Sequence, residues 1–583
     1  MLSPSRSLRI AALAALAASV VIVRDASAWD TNPLKKAYVA SHYLCGRDDL
    51  PEGAISGDIP KADQDSGRAQ KGYNCGLALL GHTQLTKDIH GDTRAAGNAN
   101  MAWASHCAYI AGSAGVSIAP ESKPNPPANA GVAIVSVTKA GVPSFIGTLR
   151  NPGALATAET INAVTTPTGR SILVVGQYGN DPVSDPKPMD VYDVTSCEHP
   201  KHFANPQYPN DPTKATYYWP GNIHNLTLTK DARFVFGTIP LQAANLSGLY
   251  DNDPKTGVTY VGNIEKAVGG LPGTTGPVAD VDGPLAPVTD HTNPENLSHE
   301  AWPSPDNSTL YVGGSTAEFE TFTILDIKKW LEGKGAPRII SQTSGRGHSV
   351  RTATIHGVPY VLHSEESVFG GAYGCIPQEG APFVGPAQPW LTDISDPAHP
   401  KTVSQMGLAI NEPKNCVKQA QDGVNDSVHY HDVDNANDTT FVMASMWNAG
   451  LRVFDVRNPN HPTEVAYFNP GDVDPTSTVK IDQAWGHVRY LPKLDQIWFG
   501  TESGGFYVVR IEGQVWSYLG LAAKNRALGL PANPAASHTV RDTGWPGTLG
   551  ALTVRPKGGW TDISGFYCTL GAAEAPVTNA TSR

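Results

Sequence analysis

Five of the eighteen histidines recur at one position of a repeated pattern, and they are the strongest chemical signal in the sequence. Each lies in a short polar strand segment that is followed by a second, more apolar strand. Neutral imidazole is a common ligand of transition metals, whereas calcium and magnesium prefer oxygen ligands. The pattern therefore predicts a copper or iron site, with zinc less favoured, and the predicted ligands are His224, His299, His348, His431 and His487.

Acidic residues accompany these histidines. Glu300 follows His299, Asp432 follows His431, and Glu502 lies at the end of a second strand. Ligating imidazoles usually donate their other N–H to a carboxylate or a carbonyl, so these three residues are candidate catalytic residues. Side chains alternate along a strand, which places Glu300 and Asp432 on the face opposite to the adjacent histidine. A packing or outer-sphere role for them therefore remains open.

Other residues extend this candidate site. His429 lies two positions before His431, hence on the same strand face, and is an additional candidate ligand. Trp302, Trp447 and Trp485 lie near the same strands and either pack in the core or line a pocket for an apolar substrate. The alternative for the whole set is a hydrogen-bonded polar channel without metal. Imidazoles held close together disfavour each other's protonation, and a bound cation would explain such a cluster more readily.

Repeated strand pairs must position these residues. Three segments share a strand that ends in Asp, a turn, a His-Pro pair and another strand; they span 191–201, 391–401 and 453–463. The alternation and the turn residues predict strand–turn–strand units. Repeats of this kind indicate a β-propeller, in which the first strand of each blade lines the central channel. The histidines of the His-Pro pairs are interpreted as structural; they are His199, His399 and His461.

This repeat resembles that of the LVIVD-repeat family of bacterial surface proteins, which are predicted to be β-propellers, over about residues 120–520. It is more distantly similar, in architecture, to selenium-binding proteins and methanethiol oxidases. The arrangement of histidines also resembles the plan of carotenoid cleavage oxygenases, which are propellers that hold iron with inner-strand histidines backed by glutamates. That likeness concerns architecture and ligand type, and it implies oxidative chemistry at an open metal site.

The units count to seven. We therefore predict an all-β, seven-bladed β-propeller over residues 76–520, after an N-terminal extension (29–75) and before a C-terminal extension (521–583). The strand that begins at Leu77 is expected to complete the last blade and close the ring, which removes exposed sheet edges. Gly- and Pro-rich insertions at 240–295 and 367–390 are expected to form long loops. The candidate blades are 98–150, 155–205, 221–265, 296–343, 346–405, 427–468 and 485–520.

The composition agrees with such a fold. The chain of 583 residues has 58 Gly and 47 Pro, and only 17% of its residues are charged, which favours short strands and turns over a helical array. Its 12 Trp, 20 Tyr and 14 Phe exclude a disordered chain. A net charge of −11 argues against a nucleic-acid partner, because nothing neutralises the phosphates.

The N-terminal segment predicts export. Basic residues precede an apolar run from Ile10 to Val23, and small residues follow at 26–28, which is typical of a cleaved signal peptide over 1–28. An uncleaved anchor is the alternative. The rest of the chain has no apolar stretch of spanning length, so we expect a periplasmic or secreted protein without a membrane span.

Export permits disulfide bonds between the seven cysteines. Cys45–Cys75 and Cys375–Cys416 are plausible local bridges, although connectivity does not follow from sequence and the odd count leaves at least one cysteine over. Taken together, these features predict an exported metal-dependent oxidoreductase acting on a small organic molecule. The alternatives are a non-catalytic extracellular propeller that binds a protein or glycan partner, and a metal-dependent hydrolase or lyase.

Overall fold

The structure is a computed structural model. It describes residues 35–36, 38–39, 44–85, 97–113, 131–155, 157–177, 187–203, 217–219, 224–239, 258–263, 299–314, 321–332, 334, 337–344, 347–364, 387–412, 415, 424, 426–471 and 482–532. The predicted signal peptide, the predicted bridge Cys375–Cys416 and most of both predicted insertions lie outside these residues.

The described part of the chain is built mainly from β-strands. Four strands come first: β1 (Lys35–Lys36), β2 (Tyr38–Val39), β3 (Tyr73–Cys75) and β4 (Leu77–Thr83). The strands that follow belong to seven separate sheets, numbered here by their innermost strands. Sheet 1 contains β5 (Gly97–Ala104), β6 (Cys107–Ser113), β7 (Val132–Val137) and β8 (Pro143–Leu149). Sheet 2 contains β9 (Ile161–Thr165), β10 (Ser171–Gly176), β11 (Lys187–Asp193), β12 (Lys201–His202) and β13 (Tyr217–Trp219).

Sheets 3 to 7 continue the same antiparallel order. Sheet 3 contains β14 (Asn225–Leu228), β15 (Phe234–Ile239) and β16 (Val258–Asn263), and sheet 4 contains β17 (Glu300–Pro303), β18 (Thr309–Gly314), β19 (Thr321–Asp326) and β20 (Arg338–Ser344). Sheet 5 contains β21 (Val350–Ile355), β22 (Val358–Ser364), β23 (Pro389–Asp393) and β24 (Lys401–Gln405). Sheet 6 contains β25 (Tyr430–Val433), β26 (Phe441–Met446), β27 (Gly450–Asp455) and β28 (Thr463–Asn469). Sheet 7 contains β29 (Arg489–Leu491), β30 (Gln496–Thr501) and β31 (Gly505–Ile511).

These sheets form a β-propeller. The innermost strands β5, β9, β14, β17, β21 and β25 contact one another in turn, β5 also contacts β30, and bridges from Trp447 to Ala484 and from Ala484 to Thr501 link sheets 6 and 7. Six sheets have at least four strands, whereas sheet 3 has three. The prediction of an all-β propeller is confirmed, whereas the predicted count of seven blades is wrong: the described residues contain six blades with at least four strands and one three-stranded sheet.

Strand β4 completes the last sheet. It pairs antiparallel with β31, from Leu77 opposite Ile511 to Thr83 opposite Phe506. A strand from before the first sheet thus joins the last one, and the prediction that the strand at Leu77 closes the ring is confirmed. This pairing covers the outer edge of β31 with a strand from the N-terminal side of the chain.

The second strand of each sheet lies deep in the fold. Strands β10, β26 and β30 are buried at every position, which explains their continuous apolar character. The core is correspondingly divided into layers between neighbouring sheets. One cluster joins sheets 5 and 6 through Leu362 and Val442, and another joins sheets 6 and 7 through Met443 and Phe499.

Turns between the third and fourth strands carry the repeated Asp. The carboxylate of Asp193 accepts the backbone N–H of Thr195, and that of Asp455 accepts the backbone N–H of Arg457. Such Asp turns hydrogen-bond their own backbone, which gives a structural reason for this part of the repeat. In one of these turns Cys197 forms a disulfide with Cys107, which joins sheets 1 and 2.

The N-terminal segment is attached to sheet 6. The predicted disulfide Cys45–Cys75 is present, and β3 pairs with β28. Arg452, fully buried in sheet 6, forms ion pairs with Glu52 of the N-terminal segment and with Glu464 of β28. These contacts make the segment part of the packed structure.

Short helices complete the described residues. They are α1 (Lys61–Ser66), α2 (Pro152–Leu155), α3 (Lys328–Leu331), α4 (Gly513–Tyr518) and α5 (Leu521–Ala527), with 3₁₀ turns at Ala69–Lys71 and Ala409–Asn411. No helix in the described ranges is both long and apolar enough to cross a membrane. Helices α4 and α5 pack against sheets 6 and 7 through Trp516 and Leu521.

Candidate metal centre

Four histidines occupy the same place in four consecutive sheets, 3 to 6. Each precedes the first paired residue of its innermost strand, and its backbone N–H donates to a carbonyl of the second strand. The four are His224, His299, His348 and His429, and the accepting carbonyls belong to Thr238, Gly313, Ser364 and Ser445. Equivalent positions on the inner strands of a closed ring face the same axis, so the four imidazoles converge.

Glu159 holds the corresponding position in sheet 2. Ile161 of β9 pairs with Val175 of β10, and the N–H of Gly176 donates to the carbonyl of Thr160. Continuing this register places Glu159 where the next four sheets have a histidine. The ring of equivalent positions therefore presents one carboxylate and four imidazoles.

The five side chains meet at close range. The Oε2 atom of Glu159 lies 3.5 Å from Nε2 of His224 and 3.6 Å from Nε2 of His299, and Oε1 lies 3.5 Å from Nε2 of His429. Ligand atoms of Glu159, His299 and His348 all lie within 4.8 Å of one another. All five residues are 0% exposed, so the cluster is shielded from bulk water.

The imidazole rings form a continuous arc around the carboxylate. Ring centroids of His224 and His299 are 4.4 Å apart, those of His299 and His348 are 3.7 Å apart, and those of His348 and His429 are 4.8 Å apart. Each sheet therefore places its histidine against the histidine of the next sheet.

Backbone carbonyls fix the orientation of two of these rings. Nδ1 of His299 lies 3.2 Å from the carbonyl of His348, and Nδ1 of His429 lies 2.7 Å from the carbonyl of Trp485. A carbonyl can only accept, so Nδ1 carries a proton in both rings and Nε2 is the nitrogen that faces Glu159. Loss of the Nε2 proton would leave each ring in the tautomer that binds a metal through Nε2.

The histidines also determine the charge state of Glu159. Burial alone would raise the pKa of Glu159, but the charge interactions with His224, His429 and His348, and a hydrogen bond with His429, outweigh burial and lower the pKa. The carboxylate is therefore favoured in its ionised form, which is the form that binds a cation.

Tyr430 adds a polar contact that the sequence did not indicate. Its hydroxyl donates to Oε2 of Glu159 at 2.6 Å and accepts from Nδ2 of Asn225 at 3.2 Å. The side chain is fully buried, and its ring packs against the rings of His429 and His487 at centroid distances of 4.6 and 4.1 Å.

His431 does not hold the position that the repeat predicted for it. It lies two residues beyond His429, and both of its ring nitrogens are engaged outside the cluster: Nδ1 with the hydroxyl of Ser349 at 2.8 Å, and Nε2 with the carbonyl of Leu362 at 3.2 Å. Burial, followed by the charge of Arg351, lowers the pKa of His431 well below its usual value. His429 is therefore the equivalent residue in sheet 6.

His487 also lies apart from the four equivalent histidines. Nη2 of Arg351 lies 2.6 Å from Nδ1 of His487, and Nε2 of His487 lies 3.5 Å from Oε1 of Glu300. Burial and the guanidinium of Arg351 lower the pKa of His487 well below its usual value. In sheet 7 it is Trp485 whose backbone N–H donates to the second strand, at the carbonyl of Gly500.

The predicted acidic residues occupy three different surroundings. Glu300 is fully buried and accepts hydrogen bonds from the N–H of Val350 and from Arg351, both at 2.8 Å, so it pairs with the guanidinium. Asp432 is partly exposed as a residue, but its carboxyl group is buried. This burial raises the pKa of Asp432 to about 6, although the positive charge of Arg351 acts to lower it. Glu502 is partly exposed, and its backbone bonds to Asn98.

Two tryptophans pack on His429. The ring centroids of Trp447 and Trp485 lie 4.7 and 4.4 Å from that of His429. Trp447 has φ = 32°, a left-handed conformation that is unusual for a bulky residue and is found where the surrounding structure enforces it. Trp302 lies elsewhere and stacks on Arg351, whose Cζ is 3.7 Å from its ring centroid.

Two further groups of potential ligands are already committed to disulfides. Cys107 and Cys197 lie near His106, and Cys45 and Cys75 lie near Asp49. The sulfurs in each group are bonded to each other, so they do not offer thiolates to a metal. Of the groups found in the described part of the chain, the one around Glu159 is free of such a bond.

Comparison with known proteins adds little beyond the fold. No family model and no curated protein matches the chain. Among solved structures, the periplasmic gluconolactonase of Pseudomonas aeruginosa aligns with 63% of this chain and 83% of its own, at 11% identity and a TM-score of 0.35. A likeness at this level says nothing about the reaction of this chain.

Proposed function

We propose that this chain is an exported metal-dependent oxidoreductase that acts on a small organic molecule. The metal ion is held at the propeller axis by the carboxylate of Glu159 and by imidazoles of His224, His299, His348 and His429. The observation that carries this proposal is the convergence of these five side chains from five consecutive sheets.

The spacing of the donor atoms supports a shared ion. Two ligands that are each about 2.1 Å from one metal ion lie roughly 3–4 Å from each other. The separations of 3.5, 3.6 and 3.5 Å between Glu159 oxygens and the Nε2 atoms of His224, His299 and His429 fall in this range.

The types of donor support iron, with copper second. Glu159, His299 and His348 together have the composition of the two-histidine, one-carboxylate sets that bind iron(II) in oxygenases. Imidazole donors from His224 and His429 would add to this set. Calcium and magnesium would prefer a site of oxygen atoms, so the excess of imidazole argues against them.

Each residue has a definite part in such a site. Glu159 supplies the negative charge that offsets part of the charge of the ion. The carbonyls of His348 and Trp485 hold the rings of His299 and His429 with Nε2 turned toward Glu159. An iron or copper ion would supply one-electron chemistry and a place for dioxygen, which is why oxidation is the proposed reaction class.

Two disulfides support the exported location. Cys45–Cys75 and Cys107–Cys197 are the kind of bonds that form and persist in oxidising compartments. They agree with the signal-peptide pattern in the first 28 residues.

The first test is the metal content of the chain produced with export to an oxidising compartment. Elemental analysis is expected to find about one iron or copper ion per chain in the wild type, and far less in Glu159→Gln and His299→Ala, because a site assembled from several chain segments depends on each ligand. His363→Gln is the matched control: it also removes a buried histidine, but His363 bonds to Thr392 and stacks on Phe322.

The outcomes separate the reaction classes. Metal content that is low in the wild type, or unchanged in Glu159→Gln and His299→Ala, would refute the metal site and favour a non-catalytic propeller. With metal present, consumption of oxygen on addition of small organic substrates supports the oxidoreductase. Hydrolysis of esters or lactones without oxygen consumption would refute it in favour of a hydrolase.

A further inference from the structure

We infer that Tyr430 is a positioning residue of the metal site: its hydroxyl donates a hydrogen bond to one oxygen of Glu159 and thereby holds the carboxylate in the orientation that faces the histidines. This inference rests on the proposed function and concerns how the ligand set is arranged. It identifies a residue of sheet 6 that acts on a ligand from sheet 2.

The contact is short and fully enclosed. The Tyr430 hydroxyl lies 2.6 Å from Oε2 of Glu159, and both residues are 0% exposed. A hydrogen bond to an ionised acceptor at such a distance is about twice as strong as one between neutral groups. This bond therefore holds Oε2 toward Nε2 of His224 and His299, at 3.5 and 3.6 Å, and Oε1 toward Nε2 of His429, at 3.5 Å.

The direction of the hydrogen bond is also set. Asn225 donates its Nδ2 hydrogen to the Tyr430 oxygen at 3.2 Å, so the phenol accepts on one side and donates to Glu159 on the other. Asn225 belongs to sheet 3, directly after His224. The chain Asn225–Tyr430–Glu159 thus crosses the channel and links sheets 3, 6 and 2.

The ring of Tyr430 is held by the cluster itself. Its centroid lies 4.6 Å from that of His429, 5.4 Å from that of His348 and 4.1 Å from that of His487. Packing on three sides restricts the phenol to one position, which makes its hydroxyl a fixed partner for the carboxylate. Outer partners that orient metal ligands typically change metal affinity by about 10- to 100-fold when they are removed.

The experiment is a titration of the metal-free full-length chain with cobalt(II), followed by the visible absorption of the bound ion. Tyr430→Phe keeps the ring and removes only the hydroxyl, and it is expected to raise the cobalt Kd by about 10- to 100-fold. Tyr109→Phe is the control, because Tyr109 is equally buried but donates to the carbonyl of Cys197, in the turn between β11 and β12. Its cobalt Kd should equal that of the wild type.

Two further readouts separate positioning from folding. At saturating cobalt, the absorption spectrum of Tyr430→Phe should change shape, because the carboxylate of Glu159 is then no longer held in one orientation; that of Tyr109→Phe should not. In the Glu159→Met background, Tyr430→Phe should cause no further rise in Kd, since Met has no oxygen to accept the hydrogen bond from Tyr430. Asn225→Leu should weaken binding in the same direction as Tyr430→Phe, but less.

The results that overturn the inference differ from those that overturn the metal site. A wild-type chain that does not bind cobalt refutes the proposed function, and the role of Tyr430 with it. A wild type that binds cobalt while Tyr430→Phe binds it equally well refutes the role of Tyr430 alone. If Tyr430→Phe lowers the affinity equally in the Glu159 chain and in the Glu159→Met chain, the role of Tyr430 is refuted as well.

Discussion

Replacing Glu159 with Gln should remove most of the stability that a bound metal gives the fold. Gln preserves the size of the side chain, and its amide oxygen can still accept the hydrogen bond from Tyr430. It lacks the negative charge that faces the Nε2 atoms of His224, His299 and His429 at 3.5 to 3.6 Å. The variant therefore tests the charge of the ligand more than its shape.

The expected size of the effect follows from linkage. An ion that binds only the folded chain stabilises it by about 2.7 kcal/mol when its concentration is 100 times the Kd. Loss of an outer-sphere partner alone weakens metal binding by about 10- to 100-fold, so loss of the charged ligand should weaken it by at least about 100-fold. At the same metal concentration, the variant would retain only about 0.4 kcal/mol of metal-induced stabilisation.

Urea unfolding with and without added iron(II) or copper(II) measures this difference. The wild type and His363→Gln should both show a metal-dependent rise in the urea midpoint, because His363 lies outside the cluster and bonds to Thr392. Glu159→Gln should show almost none. If Glu159→Gln gains as much stability from metal as the wild type, the ion binds elsewhere and the ligand set proposed here is wrong.

Three further predictions concern the frame around the site. Arg452→Met should lower the free energy of unfolding by about 3–5 kcal/mol in urea titrations, because it leaves two buried carboxylates without their cation; a loss below about 1 kcal/mol would contradict this. Burial raises the pKa of Asp495 to about 7, so the folded chain holds a proton that the unfolded chain releases. The free energy of unfolding should therefore fall as the pH rises from about 4 to about 7. It should fall less in Asp495→Asn, a substitution that the backbone allows because Asn tolerates the φ of 50° at this position. An equal pH dependence in the two chains would refute the role of Asp495. Replacing Cys107 and Cys197 by Ser opens a loop with a sequence separation of 90 and should cost about 2–5 kcal/mol, measured by calorimetry; an unchanged melting temperature would contradict it.

The strand pattern allowed much of the propeller to be predicted. Short alternating strands and Asp turns recur along the chain, and these local signals are sufficient to place inner, second and outer strands. The closing role of the strand at Leu77 followed from the need to pair the outer edge of the last sheet, and its pairing with β31 confirms it. The fourth strand predicted for each blade is present in six sheets, whereas sheet 3 has three strands among the described residues.

The exact ligand set could not be predicted in the same way. His429 and His431 share one strand face, so the alternation of side chains along a strand does not distinguish them. The hydrogen bond from the backbone N–H of His429 to the carbonyl of Ser445 shows which of the two is equivalent to the other histidines. This register depends on the geometry of the turn between the two strands, which the residue pattern does not specify. Glu159 was missed because its copy of the repeat lacks histidine. Comparison of residue positions relative to the second strand, irrespective of residue type, is the signal that would have found it.

The presence of a single carboxylate among four imidazoles is itself informative. A ring of neutral imidazoles could bind a divalent ion in a buried site only by leaving its full charge uncompensated, which is unfavourable at low dielectric. A second carboxylate would add repulsion between the acids whenever the site lost its ion. Glu159 avoids both costs: it offsets part of the charge of a bound ion and, without one, its charge is stabilised by the surrounding histidines, which lower its pKa against the effect of burial. The presence of Glu at position 159, where the next four sheets have His, is therefore the feature on which the proposed cation-binding site depends.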